Sequence, residues 1–288
     1  MKRISLLDGA LGTELIKRGL KLPLPLWSAS ANISHPKIVT KIHQDYIDAG
    51  SDIITTNTFR SIPWTYEKLG YDKKTATYKA NESLIMAIAC AQATKGASRI
   101  AGSITTIEDC YKPELYPGKN IAQDHYNEII NQMKISGIDL LLFETMGNIK
   151  EIEVILKILK SYSIETWFSL ILKNEDSLLD GTPLKDTIDL IKKFNIKTLL
   201  NNCNQLNSNF SGLDYIKSSW KNKWGIYPNL GITDYSNDYL INIDKSIIFN
   251  KIKIILKKNP DIIGLCCGSS ISDIKLVKHI IREVSDES

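Results

Sequence analysis

Three cysteines in the last third of the chain could serve as the ligands of a metal site. Cys266 and Cys267 are adjacent in the segment 262–270, and Cys203 ends an earlier apolar run. Zinc usually takes four ligands, and a catalytic zinc site keeps one position open for water or substrate. Three thiolates would leave that position open. Because Cys203 is distant from the pair in sequence, the spacing also allows a second interpretation, in which all three are buried small apolar residues.

The remaining cysteines and the histidines fit other roles. Cys90 lies in an Ala-rich helical pattern and Cys110 in a loop, and neither has a partner at the spacing of metal ligands. The four histidines fall on predicted helices or at helix starts, where we expect surface or capping residues. They are His35, His43, His125 and His279. The candidate metal ligands are therefore Cys203, Cys266 and Cys267, with burial as small apolar residues as the open alternative.

Composition and charge exclude several classes of protein. With 288 residues and 43% hydrophobic content, the chain can bury a full core, and no linker or low-complexity tract divides it, so residues 1–288 are predicted to form one domain. The net charge of +4 is modest, and no basic patch is interleaved with aromatic residues, so we expect no nucleic-acid partner. The sequence leaves the oligomeric state open.

The apolar runs are too short for a membrane protein. None approaches the roughly 20 residues that span a bilayer, so we expect no membrane partner. The apolar stretch at residues 1–8 ends at Asp8, too early for a signal peptide. We therefore expect a cytoplasmic protein, whose cysteines stay reduced and available for metal binding or catalysis.

Short β-branched or apolar runs alternate along the chain with segments of helical periodicity. This alternation predicts an α/β protein with a parallel sheet. The predicted strands are 4–8, 52–59, 99–104, 139–145, 166–172, 198–204, 223–228 and 262–267. The predicted helices include 75–94, 122–136, 148–161 and 271–284, with Asn148 capping the third. Eight such units favour a single (β/α)8 TIM barrel.

Polar residues and cysteines follow the predicted strands. Active sites of these barrels lie at the carboxyl ends of the strands. Cys203 would end the sixth strand and Cys266 and Cys267 the eighth, which brings three sulfurs to one rim. Because successive strand residues point to opposite faces, the pair can bind one metal only if the backbone turns there, and Gly268 would permit the turn. The residues at strand ends are Asp8, Asn57, Glu144, Cys203, Asn229, Cys266 and Cys267.

At these positions the sequence resembles the homocysteine S-methyltransferase family, which is related to the homocysteine-binding domain of methionine synthase and to betaine-homocysteine methyltransferase. The segment 8–14, DGALGTE, is similar to the family's amino-terminal DGAxxTEL motif. Asn202-Cys203 and the segment 264–268, GLCCG, correspond to the family's NC and GGCC zinc motifs, with Leu265 in place of a glycine. Segments 180–184 and 227–229 are similar to members that use S-methylmethionine.

The resemblance implies a zinc enzyme, in which Zn²⁺ held by the three cysteines takes the homocysteine sulfur as its fourth ligand. A coordinated thiol is deprotonated, and a thiolate is the nucleophilic form. It would attack the methyl group of a sulfonium such as S-methylmethionine, or S-adenosylmethionine, and give methionine. The expected partners are therefore small-molecule substrates.

The resemblance also suggests roles for individual residues. Glu144 is expected to hold the homocysteine ammonium, with a structural salt bridge as the alternative. Asp8 and Gly9 are expected to contact the amino-acid part, although Asp8 could instead cap the next helix. Glu144 and Asp8 are thus the candidate catalytic residues. Trp27 and Phe59 are candidates for a cationic donor, with core or lid packing as the alternative. Asn57 and Asn229 complete the substrate-binding candidates, although Pro-Asn is also common in turns.

Two other functions remain open at the level of sequence. The strand end Asn57-Thr58-Phe59 resembles the folate-using branch of the family, which favours transfer from a methylated corrinoid or folate partner, or from betaine. The chain is too short to include the folate and cobalamin domains of the large methionine synthase, so such a partner would be a separate chain. A different class is a non-catalytic zinc-binding barrel.

Overall fold

In the computed structural model, which describes residues 3–94, 96–206, 211–231 and 243–286, strands and helices alternate along the chain. The strands are β1 (Ser5–Leu6), β2 (Ile53–Thr55), β3 (Arg99–Ile104), β4 (Leu140–Met146), β5 (Thr166–Leu170), β6 (Thr198–Gln205), β7 (Lys223–Asn229) and β8 (Ile262–Ile263). The helices are α1 (Leu11–Lys17), α2 (Ser30–Ser34), α3 (Pro36–Asp48), α4 (Pro63–Glu67), α5 (Lys73–Gln92), α6 (Lys119–Ile135), α7 (Ile149–Leu159), α8 (Leu184–Ile191), α9 (Ser211–Ser219), α10 (Lys245–Lys257) and α11 (Ile271–Asp286), with 3₁₀ turns at Trp27–Ala29 and Pro113–Leu115.

The eight strands form one parallel sheet that closes on itself. Its order is β1-β8-β7-β6-β5-β4-β3-β2, and every pairing is parallel. A parallel bridge between Leu7 and Ile53 joins the end of β1 to β2 and closes the circle. The (β/α)8 barrel predicted from the sequence is therefore confirmed.

Side chains of β4 show how the sheet separates two cores. Leu140 and Leu142 pack inside the barrel, while Leu141 and Phe143 pack against the surrounding helices. This alternation follows from the two-residue period of a strand. Glu144 continues the inward series, so a carboxylate stands above the apolar barrel core where β4 approaches its end.

Local signals in the sequence position the helices. Asn148 accepts hydrogen bonds from the amides of Lys150 and Glu151, which confirms it as the cap of α7. The helix α10 ends at Lys257, just before Asn259-Pro260. None of the helices in the described ranges is long and apolar enough to cross a membrane.

Two histidines differ from the expectation that they lie at the surface. His43 is fully buried, and neither ring nitrogen has a hydrogen-bond partner among the described residues. His125 is buried as well. His43 lies on the buried face of α3 with Val39, Ile42 and Tyr46, a helical spacing that places all four toward the core. Burial lowers the pKa of His43 to about 4, so the ring is neutral at physiological pH.

Four strands, β1, β2, β5 and β8, are shorter than predicted, and the shortened ends of β2 and β8 lead into the candidate site. The strand β2 stops at Thr55 instead of residue 59, and β8 stops at Ile263 instead of residue 267. Beyond β8 the backbone still bonds to both neighbours: Leu265 donates to the carbonyl of Asp8 at 3.3 Å, and Cys266 donates to that of Pro228 at 2.8 Å. The chain therefore leaves the sheet gradually and can turn at the cysteine pair.

Candidate active site

The thiols of Cys203, Cys266 and Cys267 lie together at the carboxyl end of the barrel. The Sγ atom of Cys203 is 2.7 Å from that of Cys266 and 3.8 Å from that of Cys267, and the pair are 4.0 Å apart. Sulfurs bound to one tetrahedral zinc at about 2.3 Å stand roughly 3.8 Å from each other. The distances from the Cys267 sulfur to the other two sulfurs match this value. The distance between the sulfurs of Cys203 and Cys266 must lengthen when a metal binds. Among the described residues these form the one group able to hold a metal through three such ligands.

Cys203 reaches the group because β6 is irregular where it ends. The pairing of β6 with β7 shifts between Asn202 and Gln205, and Cys203 has a positive φ of 56°. A non-glycine residue in this left-handed region is uncommon, and strained residues of this kind cluster at functional sites. The Asn202 side chain holds the neighbouring strands at this level, since its Oδ1 accepts from the Thr145 amide at 2.9 Å and the Ser169 hydroxyl at 2.7 Å.

The turn that carries the cysteine pair is held by the segment after β7. Both Leu230 and Gly231 donate backbone hydrogen bonds to the carbonyl of Cys267, at 2.8 and 3.2 Å. Gly268 follows with a φ of 81°, and a Cβ there would lie 2.4 Å from the Gly231 nitrogen. Only glycine fits this position. The turn expected at Gly268 is therefore present, and it directs both thiols to one site.

The amino-terminal motif fastens the same turn from the other side. Ser269 accepts from the Ala10 amide through its Oγ at 3.0 Å, and Gly268 donates its amide to the Thr13 hydroxyl at 3.1 Å. The buried carboxylate of Glu14 accepts from the Ile271 amide at 3.2 Å. These contacts give the motif residues Thr13 and Glu14 a structural role that sequence reasoning did not assign.

Glu144 lies in the same cavity as the cysteines, with two hydroxyl partners. Ser103 donates to its Oε1 and Tyr227 donates to its Oε2 at 3.4 Å. Burial, with a smaller contribution from Cys203, raises the pKa of Glu144 to about 7, although the Ser103 and Tyr227 hydroxyls oppose the shift. Ser103, on β3, and Tyr227, on β7, were not predicted as site residues.

Asp8 is the second buried carboxylate of the cavity. It is 2% exposed, and it accepts from the amide of Thr55 at 2.8 Å and from its hydroxyl at 2.9 Å. Burial raises the pKa of Asp8 to about 8, with a smaller contribution from Glu144 in the same direction. The structure shows no helix cap from Asp8, because its carboxylate is directed to β2.

Neither carboxylate has a basic partner within the described ranges, so the salt bridge considered for Glu144 is absent there. A buried charge without a partner is costly, and a cationic ligand would stabilise the ionised carboxylates. The cavity thus combines a group of thiols with an electronegative wall. This arrangement suits a molecule that carries both a thiol and an ammonium.

The loop after β3 covers the thiols. Tyr111 donates its hydroxyl to Sγ of Cys203 at 3.3 Å, and burial raises its pKa above the usual range, so it stays protonated. Burial also raises the pKa of Cys110 to about 12, which keeps this neighbouring thiol neutral. Asn148 donates to the carbonyl of Pro113 at 2.9 Å and anchors the loop to the start of α7. Tyr111 was not predicted as a site residue, because loop residues lack periodicity.

The two aromatic candidates also line the cavity. Trp27 has a φ of 51°, and its indole lies so close to Gly12 that a Cβ there would be 2.8 Å from Nε1. Phe59 makes a cation–π contact with Arg60, whose guanidinium carbon lies 5.1 Å from the ring centroid. Both rings therefore reach the cavity, and one face of Phe59 is occupied by Arg60.

The other predicted residues take the following positions. Gly9 lines the cavity, and a Cβ there would lie 2.8 Å from both the Ser269 Oγ and the Tyr46 hydroxyl, so close packing requires glycine. Asn57 also lines the cavity, but its amide donates to the Ser28 carbonyl at 2.8 Å and to Asn32 at 2.7 Å. Asn229 lies outside the lining, and its Oδ1 accepts from Gly231 at 2.7 Å.

Comparisons with known proteins agree with this geometry. A profile of the family described as homocysteine S-methyltransferase matches residues 5–281. The homocysteine S-methyltransferase of Escherichia coli (strain K12) is 28% identical over 242 residues, which cover 79% of this chain and 78% of the relative. Homocysteine S-methyltransferase 2 of Saccharomyces cerevisiae is 26% identical over 98% of this chain and 95% of its own. The crystal structure of the Escherichia coli homocysteine methyltransferase MmuM in its metallated form is similar, with a TM-score of 0.81 at 26% identity over 96% of each chain.

Proposed function

Because the chain belongs to the homocysteine S-methyltransferase family, we propose that it transfers a methyl group from a sulfonium donor to the thiol of homocysteine and so forms methionine. Family membership confirms the enzyme class expected from the sequence. The observation that carries the proposal is the combination, in one cavity, of three metal-binding thiols with two buried carboxylates that have no basic partner among the described residues.

The thiols of Cys203, Cys266 and Cys267 suit zinc, which binds sulfur ligands and accepts a fourth ligand in catalytic sites. When bound, zinc would supply the Lewis acidity that favours the thiolate form of the acceptor. The hydrogen bonds of the turn at Gly268 and the irregular end of β6 fix where the three sulfurs lie. The remaining steps depend on the side chains around them.

Glu144 and Asp8 bind and orient the acceptor in this proposal. The ammonium of homocysteine would ion-pair with Glu144, whose second role is to place the acceptor sulfur beside the cysteine group. Ser103 and Tyr227 fix the orientation of the Glu144 carboxylate, and Thr55 does the same for Asp8. A charge-assisted contact of this kind is stronger than one between neutral groups.

The transfer itself is a direct displacement. The acceptor thiol releases its proton to solvent water, and the thiolate sulfur forms a bond to the methyl carbon while the bond from that carbon to the donor sulfur breaks. The bonding pair stays on the donor sulfur, which leaves as a neutral thioether. A sulfonium is suited to this step because its leaving group is uncharged. With S-methylmethionine as donor, both products are methionine.

The test is methionine formation by the purified, zinc-loaded protein from homocysteine and each of several donors. S-methylmethionine and S-adenosylmethionine are compared with betaine, methylated corrinoid and methyl folate. The proposal expects methionine from a sulfonium. If a methylated corrinoid or betaine gives methionine and neither sulfonium does, the donor assignment is wrong. If no donor gives methionine, the result supports a non-catalytic zinc-binding barrel.

The same proposal includes a cytoplasmic location for the enzyme. The three thiols must stay reduced to bind a metal, and the cytoplasm keeps cysteines in that state. We therefore place the enzyme in the cytoplasm, with small molecules as its partners.

A further inference from the structure

Arg60 is a basic side chain in the wall of the cavity that holds the cysteine group. It lies in the segment between β2 and α4, beyond the strand end, and is half-buried. Among the described residues that line this cavity it is the one Lys or Arg. A fixed positive charge beside a site proposed to bind a cationic donor requires an explanation, since like charges disfavour binding.

The guanidinium is held in place but has no carboxylate partner among the described residues. Its Nη1 donates to the backbone carbonyl of Glu108 at 3.0 Å, and the group stacks on Phe59. The nearby acids are engaged elsewhere. The Glu108 carboxylate accepts from Trp64 Nε1 at 2.7 Å and pairs with Lys68, and Asp109 accepts from the Tyr111 amide at 3.0 Å. A guanidinium has five N–H donors, so most of those on Arg60 remain for a ligand.

The position of Arg60 relative to the carboxylates assigns it to the donor. Glu144 and Asp8 lie at the strand ends, where the proposed acceptor ammonium binds. Arg60 lies on a loop and is bonded to the loop after β3, so it belongs to the outer part of the cavity. The acceptor sulfur occupies the inner part in the proposed function, and the methyl group must approach it from the loops.

We propose that Arg60 binds an anionic group of the methyl donor, and that it restricts the enzyme to sulfonium donors that carry a carboxylate. This inference rests on the proposed function. A carboxylate matches the planar fork of a guanidinium and can take two hydrogen bonds from it. It would also cancel the repulsion between Arg60 and the sulfonium. A sulfonium without an anionic group would meet that repulsion uncompensated.

The test compares S-methylmethionine with its α-carboxamide, which keeps the sulfonium and the ammonium but lacks the negative charge. The parent should bind the carboxamide at least about tenfold more weakly, as measured by calorimetry without homocysteine and by the KM for the donor. Arg60→Met should weaken binding of the acid to a similar extent and should tighten binding of the carboxamide, because the variant no longer repels the sulfonium. Arg60→Lys, which keeps the charge without the fork, should recover part of the discrimination.

The KM for homocysteine and the thermal midpoint are the controls, and neither should change in Arg60→Met. Equal losses for the acid and the carboxamide, or a loss confined to homocysteine, would overturn the role of Arg60 while leaving the proposed function intact. The absence of binding and turnover with any sulfonium would overturn both.

Discussion

The hydroxyl of Thr13 accepts a 3.1 Å hydrogen bond from the amide of Gly268, and so it joins α1 to the turn that carries Cys266 and Cys267. Thr13 is 3% exposed, so water does not readily replace the contact. The two ends of the barrel sequence therefore meet at the metal-binding group, where the amino-terminal motif holds the cysteine turn without supplying a ligand.

Thr13→Val should weaken zinc binding. The substitution leaves the Gly268 amide without its acceptor, which costs about 1–3 kcal/mol. This range includes the roughly 1.4 kcal/mol that corresponds to a tenfold loss of zinc affinity. We expect a loss of about tenfold, measured by competition with a chelator. Thr13→Ser keeps the hydroxyl and should bind zinc as the parent does. Equal affinity in Thr13→Val would show that the turn is held without this contact.

Replacement of Cys203, Cys266 or Cys267 by Ala should abolish metal binding and activity. Each change removes one of three ligands, and the barrel core does not depend on the metal. Zinc content, measured by atomic emission, should fall from about one ion per chain to a small fraction. Cys90→Ala is the matched control, because this cysteine lies on α5 and donates to the carbonyl of Pro36 at 3.4 Å, away from the cavity. Full activity in Cys266→Ala would contradict the assignment.

Glu144→Gln should weaken homocysteine binding with zinc content unchanged. The neutral amide loses the charge-assisted contact to the substrate ammonium, for which about 1.5–3 kcal/mol is typical. Calorimetric titration of the zinc-loaded protein measures the loss. Glu165→Gln serves as the control, because this residue pairs with Arg99 and Trp167 outside the cavity. An unchanged dissociation constant in Glu144→Gln would refute the role.

The free energy of unfolding of the metal-free and substrate-free chain should fall as pH rises from about 6.5 to 8. Burial raises the pKa of Glu144 to about 7 and that of Asp8 to about 8, so the folded state holds protons that the unfolded state has already released. Stability then decreases with rising pH. His43 opposes this slope only weakly. Burial lowers its pKa to about 4, so the folded ring is neutral across the window, while the unfolded ring, with a pKa of about 6.5, is half protonated at the start of the window and nearly neutral at its end.

Denaturant unfolding at several pH values checks this slope. The parent should lose on the order of a few kcal/mol across the window, and the Asp8→Asn, Glu144→Gln double variant should lose much less. The difference between the two proteins cancels every other titrating group. A slope that is the same in both would show that the two carboxyls do not cause it.

Trp27→Leu should raise the KM for a sulfonium donor and leave the KM for homocysteine unchanged. A cation–π contact in a desolvated site is worth about 2 kcal/mol, so the change is expected to exceed tenfold. Steady-state assays with each substrate varied in turn separate the two constants, and zinc content serves as the control. An equal rise in both constants would indicate that Trp27 packs the loop instead of contacting the donor.

Much of the fold could be predicted because its signals are local. Apolar runs gave the strands, and the cap at Asn148 and the stop at Asn259-Pro260 gave helix ends. The cysteine group followed from the strand order, in which only β7 separates β6 from β8, together with the turn expected at Gly268 and the resemblance to known zinc motifs. The buried His43 was predicted wrongly, although its spacing from Val39 and Tyr46 on α3 already contained the correct answer.

The rest of the site could not be predicted because it depends on contacts between strands and loops distant in sequence. Ser103 and Tyr227 meet Glu144 only when β3, β4 and β7 are in register. Arg60 and Tyr111 lie on loops whose course has no period. The positive φ of Cys203, which directs its thiol to the pair, has no sequence signal, because glycine would be the usual residue there.

The contacts between the amino-terminal motif and the cysteine turn join two segments that are synthesised at different times. They join residues 255 and 259 positions apart, so during translation Thr13 leaves the ribosome on the order of ten seconds or more before Gly268. A nascent or truncated chain that ends before residue 266 carries at most Cys203 of the group. Metal binding through all three thiols must therefore follow synthesis of the last strand of the barrel, long after the amino-terminal motif that holds the cysteine turn has been made.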